Sequence, residues 1–157
     1  MKIKIILLSI LSFLFFSCIN LVDMNGVQCV VDKSQYKLDE NIKVSLNGEL
    51  SSSDKVKSLR VGIALFKYEN GIQDLENLPE IEIMKIDEKY DVDDQSNLGC
   101  FSSFWNSSDL ITVIDEDFEF KVKESGTYLI SVVIHAGGED IECTGVAAFQ
   151  FPITISE

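Results

Sequence analysis

Histidine occurs once in this sequence, at position 135, tryptophan once, at position 105, and proline twice, at positions 79 and 152. A lone histidine cannot build a His-rich metal site, and a serine or cysteine nucleophile would have to use His135 as its base. The chain has no Gly-rich phosphate loop, no Gly-x-Ser-x-Gly elbow, no Cys-x-x-Cys pair and no His-Glu-x-x-His helix. Basic residues are scarce as well. Thirteen Lys and Arg stand against 26 Asp and Glu, a net charge of -13. That balance repels nucleic acid and anionic headgroups. It suits a soluble body or a cationic partner. No internal repeat or low-complexity tract is present, and no long helix is indicated.

What the sequence does have comes first at the N-terminus. Lys2 and Lys4 precede an apolar run, Ile5 to Phe16, broken only by Ser9 and Ser12. Ser17 and Cys18 follow. A positive start, a greasy middle and a small residue at the cut are the layout of a secretory signal peptide. The run is shorter than the roughly 20 residues of a permanent span. Phe15-Phe16-Ser17-Cys18, with Leu14 before it, resembles the lipobox of bacterial lipoproteins, in the loose form found in spirochaetes. The resemblance implies that Cys18 is lipidated and becomes the first residue of the mature chain. The lipid bilayer is then the first partner, and a bacterial envelope, the outer membrane in particular, is the address. One acyl chain binds only reversibly; two or three hold firmly. The domains expected are a signal peptide at 1–17, the lipidated cysteine and a short tether at 18–26, and one folded domain at 27–157. Without Lys2 and Lys4 the remainder carries a charge of about −15 over about 140 residues, enough for one self-sufficient core.

Three further cysteines, Cys29, Cys100 and Cys143, allow three single pairs and leave one thiol over. Cys100–Cys143 is the expected disulfide, because both lie near glycines and polar turn residues. Cys29 sits in an alternating apolar stretch and reads as a small buried hydrophobe.

From Val27 onward the hydrophobic period is two. Strands are predicted around 27–31, 36–38 and 42–46, with Asn47-Gly48 ending the third. Leu59, Val61, Ile63 and Leu65 share one face of a central strand. Gly62, Ala64 and Phe66 share the other, so that strand is expected to be covered on both sides. A helical turn is predicted within 72–79, limited by Pro79, then a strand at 81–86 and an acidic loop from Asp87 to Gly99. Leu110–Ile114 and Phe118–Val122 are predicted as two strands separated by a turn at Asp115-Glu116-Asp117. Strands at 127–134 and 146–155 complete the chain, with Pro152 at an edge or a bulge. Seven to nine strands with Gly, Asn and Asp turns specify an all-β antiparallel sandwich.

Phe118-x-Phe120, followed by Gly126-Thr127-Tyr128 and the strand to Ile134, resembles the Gly-x-Tyr step of immunoglobulin-like domains. The resemblance implies that Tyr128 tucks its ring into the core and bonds its hydroxyl back to the chain. Ile130 stands where antibody domains carry their second cysteine, and their third-strand tryptophan is missing. The likeness is therefore to the broad immunoglobulin-like class, a fold with many functions.

Three groups of residues are candidates for chemistry or recognition. Asp91, Asp93 and Asp94, with Asn97, form an oxygen-rich run that could hold calcium. The EF-hand pattern fails at Gln95, Ser96 and Ser102, so a solvated acidic loop is the plainer reading. Phe101, Phe104 and Trp105 are the candidate binding patch, since loop aromatics anchor interfaces; they serve equally as core. His135 reads as a loop histidine at the end of the 127–134 strand. The composite expectation is a non-enzymatic, lipid-anchored binding or structural module without cofactor, directed to a protein partner. The rivals are an inhibitor or accessory subunit of an envelope enzyme, and a small hydrolase that would need His135 beside a cysteine or carboxylates in a concave pocket.

Overall fold

Alternation with period two sends every second side chain to the same face of a strand. Where that face is apolar in strand after strand, two sheets must bury it against each other. A computed structural model of the chain describes residues 24–50, 56–69, 72–74, 78–138 and 143–157. The signal segment and Cys18 lie outside the described residues. The strands are β1 (Gln28–Val31), β2 (Gln35–Lys37), β3 (Ile42–Glu49), β4 (Ser58–Glu69), β5 (Ile72–Asp74), β6 (Ile81–Lys85), β7 (Asp91–Gln95), β8 (Cys100–Asn106), β9 (Val113–Val122), β10 (Gly126–Gly137) and β11 (Cys143–Ser156). A 3₁₀ turn, Ser96–Leu98, joins β7 to β8.

The smaller sheet has the order β1-β3-β9-β6. The larger has the order β2-β11-β10-β4-β8-β7, with β5 pairing β4 beside that path. Pairing is antiparallel except for β2, which runs parallel to the end of β11. The core lies between the sheets. Ile42, Val44 and Leu46 of β3 and Ile114, Phe118 and Phe120 of β9 face Leu59, Val61, Ile63 and Leu65 of β4 and Tyr128, Ile130, Val132 and Ile134 of β10, all buried. Each such side chain contributes about 1.5–3 kcal/mol on burial.

The structure corrects several expectations. No turn interrupts 113–122. β9 is continuous, and Glu116 points inward from it. That carboxylate is tolerated because Lys89 reaches it at 2.6 Å, a partner distant in sequence and invisible to local pattern. The acidic run after Asp87 contains β7, an edge strand held by its ladder to β8. The turn expected within 72–79 begins as β5. β3 runs through Gly48 to Glu49. A Cβ at Gly48 would come within 2.5 Å of the Gly26 carbonyl oxygen, so the glycine admits a close backbone approach instead of ending the strand. The folded body starts before residue 27, since Met24 is already buried.

The Cys100–Cys143 disulfide is not formed. Cys100 is a free thiol. It pairs with Ala64 on β4, whereas Cys143 pairs with Gly137, which faces Ser58. The stretch Ser58–Ala64 spans about 20 Å at roughly 3.3 Å per residue. A disulfide needs Cα atoms within about 7 Å. Cys29 is half-buried, as its pattern indicated, and burial pushes its thiol up to about 12.

The Gly126–Tyr128 step behaves as the immunoglobulin-like resemblance implies. The Tyr128 side chain is wholly buried, and its hydroxyl donates to the Glu124 carbonyl oxygen at 3.0 Å. A Cβ on Gly126 would press on the tyrosine ring at 3.2 Å. Tyr128→Phe should therefore lower the unfolding free energy by about 0.5–1.5 kcal/mol, read from a urea titration with unchanged slope. A variant as stable as the parent would deny the bond its role.

Candidate functional site

The outward face of the larger sheet is built in rungs. The ladders align Val133 of β10, Gly62 of β4, Ser102 of β8 and Asp93 of β7 across the sheet. The next rung is Ser131, Ala64, Cys100 and Gln95, and the one on the other side is His135, Arg60, Phe104 and Asp91. Small side chains occupy the two middle strands of the first two rungs. They leave a depression of about 330 Å³, lined by Gly62, Ala64, Phe66, Ser102, Ser131 and Val133, with Asp93, Gln95 and Cys100 toward β7.

Gly62 forms the floor. It is not among the described glycines with positive φ. A Cβ built there would find only the Val133 carbonyl oxygen, at 3.9 Å. Neither backbone geometry nor packing requires glycine at this position. The expected cover over the outer side of β4 is absent among the described residues, and this depression lies there instead.

The structure divides the aromatic candidates. Phe101 is core: it is buried and meets Phe118 and Phe120 at ring distances of 6.5 and 6.1 Å. Trp105 also faces inward, half-buried, edge-on to Tyr90 at 6.1 Å. Lys89 lies over its indole at 4.4 Å while bonding Glu116. Burial and the nearby Glu116 charge push the Tyr90 hydroxyl above the usual tyrosine range. Only Phe104 faces outward, stacked under the Arg60 guanidinium at 5.4 Å. Strand alternation explains the division, since positions 101, 103 and 105 of β8 point one way and 102 and 104 the other.

Asp91, Asp93 and Asp94 do not converge. Asp91 and Asp93 stand on one face of β7 and Asp94 on the other, where it accepts the Ser96 amide at 2.9 Å. Hydrogen bonds from Ser96 hold its carboxyl below the ordinary range. Among the described residues no group of three or more His, Cys, Asp or Glu is placed to hold a metal ion. His135 is a strand residue, because β10 runs on to Gly137. It sits opposite Arg60 and Val146, outside the lining of the depression. Partial burial and the Arg60 charge lower its pKa. Among the described residues the ladders set His135 opposite Arg60 and Val146, not opposite a cysteine or a carboxylate cluster.

The sequence holds one signal for this face, a glycine inside a long apolar strand, which marks a close approach. Phe101→Ser should cost about 3–5 kcal/mol by opening the core. Phe104→Ser should cost under about 1 kcal/mol, as an exposed-face change. Guanidinium unfolding of the two variants checks the division; equal losses would contradict it.

No protein-family model matches the sequence, and no curated protein matches it. Solved structures do match in fold. A cohesin module from a family 33 glycoside hydrolase of Clostridium perfringens superposes with a TM-score of 0.50 at 12% identity, covering 88% of this chain and 98% of that one. The sixth cohesin of scaffoldin B from Acetivibrio cellulolyticus, in complex with a Cel5 dockerin, gives 0.51 at 11% identity, with 83% and 99% covered. Self-complemented MyfA, the major subunit of Myf fimbriae from Yersinia enterocolitica, gives 0.51 at 11% identity, with 84% and 99% covered. These likenesses establish the fold: an all-β, antiparallel, immunoglobulin-like sandwich of the kind found in cohesin modules.

Proposed function

We propose that this protein is a lipid-anchored, non-enzymatic binding module of a bacterial envelope that captures a protein partner on the outward face of its larger sheet. One observation carries the reading: Gly62 in the middle of a central strand. Glycine there costs up to about 1 kcal/mol against a β-branched residue. No positive φ requires it, and a Cβ there would meet only the Val133 carbonyl oxygen, at an uncrowded 3.9 Å. A chain that keeps such a gap on an outward face leaves room for something to enter. Phe66 and Val133 supply apolar contact, and Asp93 lines one margin. A partner with Lys or Arg at its rim complements that margin. The Acetivibrio cohesin of the same fold is itself held in a protein–protein complex. The anchor rests on Lys2, Lys4, the apolar run to Phe16 and Cys18, and the outer membrane is the proposed site of attachment.

Gly62→Val tests the binding face. The variant should be as stable as the parent or more so, and should fail to retain the envelope protein that the parent captures in a pull-down. Undiminished capture by a folded variant would remove the face from consideration. Cys18→Ser tests the anchor separately. It should abolish labelling by a radioactive fatty acid and release the protein from the membrane fraction. Lipid label on the serine variant would place the modification elsewhere.

A further inference from the structure

The larger sheet has two edges, and they are treated differently. One is β7, where Asp91, Asp93 and Asp94 guard the strand with charge. Charged side chains on an edge strand discourage another strand from pairing with it. The other edge is β11. There β2 covers only Thr154, Ile155 and Ser156. Before them, β11 is paired with β10 on one side, and no described strand lies on the other. The amide of Thr154 donates to the Ser34 carbonyl oxygen on the β2 side. Backbone groups alternate along a strand, so Val146, Ala148 and Gln150 aim their N–H and C=O toward the same uncovered side. Pro152, which lacks an N–H, closes this stretch.

We propose that the uncovered edge of β11 is a self-association site, where a second copy of this chain adds its own β11 antiparallel, centred on Ala148. Charge opposes a second copy least along this edge. The chain carries -13 overall, so copies repel over most of their surface. Yet from Cys143 to Ser156, the longest strand described, no Asp, Glu, Lys or Arg occurs. The register is self-complementary. Ala148 meets the Ala148 of the partner subunit across the two-fold axis, and Val146 meets the partner's Gln150. Three pairs of this kind exchange about six backbone hydrogen bonds. The side chain at the axis is small, and the 52% exposed Val146 gains cover. On the inward side, half-buried Phe149 and Phe151 lie at the rim of the core and are shielded by the added strand. Such an interface is isologous and closes on itself. A strand pair this short buries less than the roughly 1,200–2,000 Å² of a stable complex, so the association is concentration-dependent.

Sedimentation velocity of the full chain in detergent, over a concentration series, tests the proposal with Ala148→Lys and Ala148→Glu. The parent should pass from monomer to dimer as concentration rises. Each variant, its fold checked by thermal unfolding, should weaken the dimer at least about tenfold, because like charges would face each other across the axis. An equimolar mixture of the two should restore a dimer. Val146→Lys, on the same edge, repeats the test should either Ala148 variant unfold. A parent that stays monomeric throughout overturns the proposal. So does a dimer that survives every substitution, since that dimer is made by the anchor, the micelle or another surface.

Discussion

The pairing of β4 with β10 is the constraint on which the molecule depends. Their ladder runs from Tyr128 opposite Lys67 to Gly137 opposite Ser58 without a break. It fixes, residue by residue, which side chains enter the core and which face outward, because a slip of one residue would exchange the two sets. β8 and β7 hang from one side of this pair, and β11 and β2 from the other. Tyr128 locks one end of it by bonding back across the turn before β10. The smaller sheet closes over the inward side with Phe118 and Phe120, whose rings meet Phe101 of β8. On the outward side small residues, Gly62, Ala64, Cys100 and Ser102, occupy the neighbouring strands β4 and β8.

Much of the fold was legible in the sequence because most strands announce themselves locally. Leu59 to Leu65, Ile42 to Leu46 and Phe118 to Val122 each alternate cleanly, and each is a strand. The failures share a physical cause: the stabilising partner is far away in sequence. Glu116 reads as part of a polar turn until Lys89 is seen beside it. Asp91–Gln95 has no apolar face of its own, and its strand exists through main-chain bonds to β8. Phe101 and Trp105 could not be assigned to core or surface until the register of β8 was known. The cysteine pairing failed likewise, because proximity to glycines says nothing about which rung a residue occupies. Gly62 was visible as a glycine within an apolar strand. Its meaning needed the neighbouring rungs.

The two outward-looking regions of the larger sheet differ in kind. The depression over Gly62 offers side-chain contact and shape, with Asp93 at one margin. The edge of β11 offers main-chain groups that no described strand covers, and no charge. Recognition at the first depends on what fits the hollow; recognition at the second depends on an extended strand and a matching register. The two adjoin, since Val133 and Ser131, which line the depression, pair with Ala148 and Gln150 of the edge strand.

The Lys89 clasp has a further consequence. The single indole of the protein, Trp105, is held between Tyr90 and an ammonium group that is itself anchored to Glu116. It sits where the 86–90 connection crosses the rim between the sheets. Its fluorescence therefore reports from one defined place. The cation over the ring and the edge-on tyrosine are contacts that depend on the closure of that rim. Local opening of the 86–90 connection would part Lys89 and Tyr90 from the indole and change that signal, even with the core centred on β4 and β10 intact. The protein thus carries a built-in optical probe that can separate fraying at the rim from global unfolding.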